Sequence, residues 1–372
     1  MSRLSEMIKE LCPDGVEYRK LKEIFDTRNG YTPSKSNDSY WENGTIPWFR
    51  MEDVRENGHI LSDSIQHVNL NAIKGELFPA NSIIVATSAT VGEHALITVP
   101  SLANQRFTYL MLKHEYANAF DIKFLFYYCY KLDLWCLSHL NQGSFPSVDM
   151  KQFSQFEIPV PLLAIQNEIV KLLDNFTELT AELTAELTAE LALRKKQYEW
   201  YCGSLIGGAT FPKRKISDIA TFRYGYTTSA ATSGDARYIR ITDITDDGKL
   251  NPLDAKYTCI STENKEYLLK RDDLVMARTG ATYGKTLCYN MDTPAIYASF
   301  LIKIQVDETQ MLPRFYWHFT RTPEYWGQAN RLVTKGGQPQ FNTGAIGRIV
   351  IPIPPLETQA KIVSILDRFD AL

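Results

Sequence analysis

The side chains best suited to chemistry in this 372-residue chain are hydrogen-bond donors that occur twice. Gly30-Tyr31-Thr32 returns 195 residues later as Gly225-Tyr226-Thr227. Arg50 and Asp53 in IPWFRMEDV return at an offset of 190 as Arg240 and Asp243 in ARYIRITDI. Ala89-Thr90-Val91-Gly92 lies over Ala281-Thr282-Tyr283-Gly284 at an offset of 192, and Gly143 and Pro146 lie over Gly336 and Pro339. Scattered singly through turns, such groups are suited to hydrogen bonding. No nucleophile–base set, metal-ligand cluster or Asn/Asp-Pro-Pro-Tyr motif is legible. The six cysteines form no CxxC pair and read as plain thiols. Gly280-Ala281-Thr282-Tyr283-Gly284-Lys285-Thr286 imitates a phosphate loop, but that motif needs four residues between its glycines and this one has three.

The elements that carry these donors are duplicated with them. Residues 158–179 and 351–372 are identical at eleven of twenty-two positions, among them Gln166, Asp174 and Phe176. Offsets that drift only between 190 and 195 indicate one domain copied with small loop changes, a period too long for a solenoid. IPWFR, SIIVATS, FTYLML, IPVP, RYIRITDI, DLVMART and FLIKIQV read as short strands. The aromatic stretches 124–137 and 315–326 have helical spacing and read as core-packing helices. The expected fold class is α+β: two duplicated globular α/β domains separated by long helices that pack as an antiparallel, coiled-coil-like pair with pseudo-twofold symmetry. The expected boundaries are 1–160 (with a short helix at 3–11), 161–207, 208–354 and 355–372.

Between the copies the chain spells TEL-TAEL-TAEL-TAEL, from Thr177 to Leu191. Pro161 precedes this segment, strong helix formers fill it, and Gly203, Gly207 and Gly208 follow. One helix over about 163–202 is predicted, roughly 60 Å long. Leu179, Leu183, Leu187 and Leu191 recur every four residues, so their stripe drifts about 40° per repeat. The duplicate helix reaches Leu372, the counterpart of Leu179, and residues 3–11 align with 198–206. The two ends therefore read as parts of a second spacer lacking its middle, expected to lie close together.

Composition is that of a globular protein, with 44% hydrophobic and 22% charged residues. No apolar run reaches the roughly 18 residues of a spanning helix, and MSRLSEMIKEL lacks a signal peptide's apolar core. The expected location is intracellular. Net charge is −3, but residues 163–193 carry −5 of it, which leaves +2 for the rest. That is a weak basic footprint.

On the 158–179/351–372 pair, the TAEL repeats and the RKKQYEWY run at 194–201, the chain closely resembles the specificity subunit of type I restriction–modification systems. The resemblance covers almost the whole chain and implies a non-catalytic adaptor. Two target-recognition domains would read a bipartite double-stranded DNA sequence. The helices would seat two methyltransferase subunits, and restriction subunits would join them. S-adenosylmethionine and ATP would sit on those partners, with no cofactor on this chain. The sequence departs from the family pattern in the shortened second helix, which leaves room for self-association. A coiled-coil protein scaffold without DNA binding is the alternative reading, and a stand-alone DNA-modifying enzyme a third.

Residues that donate to phosphates and base edges make the recognition candidates. In the first copy these are Tyr31, Thr32, Lys35, Arg50, Ser88, Arg106 and Ser144. In the second they are Tyr226, Thr227, Arg240, Arg278, Thr279, Tyr283, Lys285, Lys335, Gln338 and Gln340. The partner-binding candidates are Gln166, Lys171, Arg194, Lys195, Lys196, Gln197 and Tyr198, with Gln359 and Arg368. The Arg-Lys-Lys run has two open readings, docking of a methyltransferase or a complement to the helix dipole. Each four-residue TAEL unit adds about 6 Å and about 40°, and one DNA base pair turns about 34–36°. Two readings of the repeats stay open, a ruler for the gap between half-sites and a generic semi-rigid spacer.

Overall fold

The computed structural model describes residues 3–141, 145–207, 211–334 and 336–370. The chain divides into two compact units, Met1–Thr184 and Ala185–Leu372. The division falls inside a single helix, Leu163–Cys202. That helix contains neither proline nor glycine, and its threonines return their hydroxyls to the backbone one turn earlier. Thr177 donates to the Leu173 carbonyl (2.9 Å) and Thr180 to that of Phe176 (2.7 Å), which satisfies hydroxyls that would otherwise compete with the helix. The α-helix ends at Cys202, as the sequence predicted, and winding continues as a π-helical turn over Gly203–Gly207. Buried Cys202 and Ile206 hold that turn in the core of the second unit.

In the first unit, a sheet runs in the order Phe25–Asn29, Phe107–Leu112, Ser82–Ala86, His94–Ile97, Ile60–Leu61. A smaller sheet runs His67–Val68, Ile46–Phe49, Leu102–Ala103, and Tyr18–Lys20 pairs with Glu157–Pro159. Ser82–Ala86 is buried at every residue. One of its faces meets the helix Ile122–Ser138 through Ile83 and Val85, and the other meets a second core of Trp48, Phe49, Phe78 and Tyr109 through Ile84 and Ala86. A strand covered on both sides reads as a continuous apolar run, which is how SIIVA reads.

The second unit repeats this plan. One sheet runs Ala220–Tyr224, Leu301–Val306, Leu274–Ala277, Thr286–Cys288. Another runs Tyr257–Thr258, Ala236–Ile239, Ala295–Tyr297, and Lys213–Lys215 pairs with Val350–Pro352. The aromatic stretch 315–326 is helical as expected, but in two pieces, Pro313–Phe319 and Pro323–Leu332, because Pro323 cannot continue the first. The architecture is α+β, as the pattern of elements predicted.

Candidate nucleic-acid interface

In each unit the turns at one end of the main sheet are tied together by the same backbone bonds. In the first unit Tyr31 N–H donates to the Ala103 carbonyl (2.8 Å), Thr87 N–H to that of Arg106 (3.0 Å), Ala89 N–H to that of Pro146 (2.8 Å), and Val148 N–H to that of Thr87 (2.9 Å). In the second, Tyr226 N–H donates to Tyr297 (3.0 Å), Arg278 N–H to Phe300 (3.0 Å), Gly280 N–H to Pro339 (3.1 Å), and Phe341 N–H to Arg278 (2.7 Å). Gly30 and Gly225 are required here. A Cβ at Gly30 would collide with the carbonyls of Ala103 and Asn104, and one at Gly225 with those of Tyr297 and Ala298. These bonds also correct the alignment. Ala89 (φ 65°) corresponds to Gly280 (φ 71°), not to Ala281, and Gly92 still corresponds to Gly284.

The turns gather Tyr31, Thr32, Ser88 and Arg106 in the first unit and Tyr226, Arg278, Thr279, Gln338 and Gln340 in the second. Exposed, with no protein partner for their side chains among the described residues, are Lys35, Arg106, Thr227 and Gln338. Others are occupied. The Thr32 hydroxyl bonds Gln105; Ser88 is half-buried, and its backbone is bridged to that of Ser147. The Tyr226 ring lies tilted against Tyr267, and its hydroxyl reaches Glu263 (3.4 Å). The Tyr283 hydroxyl donates to Asn330 (2.7 Å), and Lys285 pairs with Asp246. Arg50 lies near the Trp48 ring (5.7 Å), and its buried Nε is 3.9 Å from Glu52 without a hydrogen bond among the described residues. Ser144 and Lys335 lie outside the described residues.

Four recognition candidates need correction. The Tyr31 hydroxyl donates to the Ala72 carbonyl (3.2 Å) and accepts from Lys74 N–H (2.7 Å), so it braces a loop. Arg240 is held by Asp243 (2.8 Å) and Asp254 (3.4 Å). Pulling it away would leave the buried Asp243 carboxylate uncompensated. Thr279 is buried, donates to the Pro339 carbonyl (3.3 Å) and accepts from the Gln340 amide (2.8 Å). Those two side chains satisfy each other.

Three partner-binding candidates are also internal. Gln166 is fully buried: its Oε1 accepts from Asp121 N–H (2.9 Å), and its Nε2 donates to the carbonyls of Ala119 (2.8 Å) and Pro161 (2.7 Å). Gln359 repeats this on Leu312 N–H (2.9 Å) and the carbonyls of Gln310 and Pro354 (both 2.8 Å). Each amide clamps the loop before a core helix to the start of a spacer helix. Tyr198 is buried, and its hydroxyl bonds His318 Nδ1 (2.8 Å). Lys171, Lys195, Lys196, Gln197 and Arg368 are exposed, as is Arg194, which pairs with Glu190 (3.3 Å).

Sequence reasoning missed the carboxylates next to these clamps. Asp174 accepts from Lys123 (2.8 Å) and Tyr127 (2.6 Å). Its counterpart Asp367 takes Arg314 (2.7 and 3.1 Å) and His318 Nε2 (2.8 Å). Burial works to raise the Asp367 carboxyl, but the bonds from His318 and Arg314 outweigh it and bring it down to about 2. Asp174 is likewise desolvated, yet Lys123 and Tyr127 leave it below the usual carboxylate range. Burial lowers the His318 pKa despite Asp367, so the neutral ring donates from Nε2 and accepts the Tyr198 proton at Nδ1. The matching Asp174 and Asp367 were visible in the repeat; their partners, about fifty residues upstream, were not. The exposed Phe145 and Phe300 were also missed. Both lie beside the donor turns, and a phenylalanine side chain carries no donor signal.

The would-be phosphate loop is a single 3-10 turn, Gly280–Thr282, which leads into a strand instead of a helix. Among the described residues no group of His, Cys, Asp or Glu could hold a metal, and no helix is long and apolar enough to cross a membrane.

Residues 13–193 and 209–372 match the family described as the type I restriction modification DNA specificity domain. The chain is 41% identical to the EcoprrI type I restriction enzyme specificity subunit of Escherichia coli, across 100% of this chain and 92% of that one. A putative type I restriction enzyme specificity subunit of Haemophilus influenzae is 33% identical over 59% of this chain and 57% of its own length. A chain solved in a study of complex assembly and conformational transition of the type I R-M system shares the fold, with a TM-score of 0.68 at 16% identity over 96% of this chain and 91% of that one. Two successive family matches and a full-length relative agree with the duplicated architecture: this chain belongs to the family of type I restriction–modification DNA specificity domains.

Proposed function

We propose that this specificity subunit reads a bipartite double-stranded DNA target, one half-site per unit, on behalf of methyltransferase and restriction subunits. One observation carries the reading: matching backbone bonds build the same turn cluster twice, while the side chains at its tips differ. Phe145 stands where Gln338 stands, each one residue before the proline that closes the turn. Arg106 stands where Phe300 stands, and buried Thr87 where Arg278 stands. A constant scaffold with variable tips suits two different short sequences.

Among the described candidates, Lys35, Arg106, Thr227, Arg278 and Gln338 are the side chains left to meet DNA. Lys171, Arg194, Lys195, Lys196, Gln197 and Arg368 are those left on the helices for methyltransferase subunits. The chain itself performs no catalysis; S-adenosylmethionine and ATP belong to its partners, and the assembly works in the cytoplasm. The test is to co-express the chain with its methyltransferase and map methylated adenines across a genome. A split motif with a constant gap is expected. A stable complex that leaves no motif overturns the reading. Deleting Thr184–Leu187 should shorten that gap by about one base pair, since one TAEL turn of about 40° matches one base-pair twist. An unchanged gap removes the ruler role of the repeats.

A further inference from the structure

We propose that Arg278 reads a guanine in the half-site of the second unit. This rests on the DNA-recognition reading above and adds one residue and one base to it. Arg278 follows the buried strand Leu274–Ala277, and its backbone is pinned on both sides: its N–H donates to the Phe300 carbonyl (3.0 Å), and its carbonyl accepts from Phe341 N–H (2.7 Å). Its Nε donates to the Ser299 carbonyl (3.1 Å). Its guanidinium carbon lies 5.2 Å from the centre of the Tyr224 ring and 5.3 Å from that of Phe300. Those rings are 43% and 52% exposed. The stem is therefore fixed, the plane is stacked near aromatic faces, and the cluster still opens to solvent.

The terminal nitrogens distinguish this arginine from five others of its unit. Arg240, Arg314 and Arg321 each hold a carboxylate of the same unit, at 2.8, 2.7 and 2.7 Å. Arg223 and Arg271 pair with Glu266 and Asp292. Arg278 has no carboxylate among the described residues, and its two terminal nitrogens have no protein acceptor there. It is a preorganised fork with its outer edge unsatisfied. Arginine presents paired donors in a plane, and guanine is the base whose major-groove edge offers two adjacent acceptors, O6 and N7. In the first unit Thr87 holds the equivalent position; it is buried and bonded to Thr108 (2.8 Å), so this reader belongs to the second half-site alone.

The test uses the chain in complex with its methyltransferase. Methylated motifs are mapped for the parent protein and for Arg278→Lys. Binding is then competed at constant salt with duplexes altered at each pair of the second half-site. Lysine keeps the charge and loses the fork. Preference for one G·C pair in the second half-site should fall roughly tenfold to hundredfold, as expected for losing a bidentate base contact. The first half-site and the salt dependence should not change. Unaltered preference at every position, or a second half-site with no guanine, overturns the assignment while leaving the split-motif reading intact. Failure of the parent protein to mark any split motif overturns both. If Arg278→Lys does not assemble, Phe300→Leu carries the test: the arginine stays but loses a stacking face, and preference at the same pair should drop severalfold. No drop overturns the proposal.

Discussion

The two units anchor their spacer helices with the same carboxylate in two chemistries. Asp174 is held by a lysine and a tyrosine, Asp367 by an arginine and a histidine. The lysine pair is the more exposed, at 41% and 38% of the side chains against 27% and 34% for the arginine pair. A lysine contributes a single flexible point charge, whereas the guanidinium contacts both Asp367 oxygens from a rigid plane. His318 also ties this anchor to the end of the long helix through Tyr198. Residue 3, the counterpart of Tyr198, is an exposed arginine with a loose 3.7 Å contact to Glu168, and the helix Arg3–Leu11 buries no residue. The lesson is that duplication preserved where the anchors lie and let their strength diverge.

The largest expected effect tests that divergence. Asp367→Ala strands Arg314 and His318, and because the site is one-third exposed the loss should be about 2 kcal/mol, below the range for a fully buried pair. Asp174→Ala should lose about 1 kcal/mol, nearer to a surface pair. Hydrogen exchange across 356–370 and 163–177 would report each. Equal losses would break the comparison.

The glutamine clamps predict the opposite, sameness. Gln166→Ala and Gln359→Ala each leave a buried N–H and two carbonyls without their partner. Each should destabilise its unit by about 1–3 kcal/mol, and the two values should agree closely in denaturant unfolding.

Smaller again is the turn pair. Gly280→Ala places a Cβ at φ 71°, with only ordinary contact to Gln338 at 3.6 Å, so the loss should be about 1 kcal/mol and purely conformational. Ala89→Gly relieves the same strain at φ 65° and should be neutral or stabilising by a few tenths of a kcal/mol, because glycine loses more chain entropy. Melting curves that moved in the reverse directions would contradict the structural alignment of Ala89 with Gly280.

Acid should separate the units most gently. His318 has a lowered pKa in the folded state, so protonation favours unfolding, and the second unit weakens as pH falls below the ordinary histidine value of 6.5. The depressed Asp367 carboxyl adds stability that is present above its usual value of 3.8 and lost as pH falls toward about 2. The first anchor has no histidine and should lose stability only in the carboxylate range, through Asp174. Exchange protection of 356–370, corrected for intrinsic rates, should decline first; simultaneous decline would contradict this account.

The duplication, the long helix and the core helices were legible in the sequence because each rests on local repetition. Leucines every four residues, absent proline and glycine, and aromatic residues at helical spacing are properties of neighbouring residues. The clamp role of Gln166 and Gln359 was not legible, since the repeat marked both positions but a buried amide and a docking amide read the same. Which donors of the turns stay unsatisfied was decided by tertiary structure alone. Thr279, Arg240 and Tyr31 have the right donors, yet their acceptors at Pro339, Asp254 and Ala72 arrive from 14 to 60 residues away. Arg278 differs from them in that only its Nε finds an acceptor, the Ser299 carbonyl, among the described residues. A polar side chain's type is written in the sequence. Whether it is already satisfied depends on which distant backbone the fold brings within about 3 Å, and no local pattern carries that information.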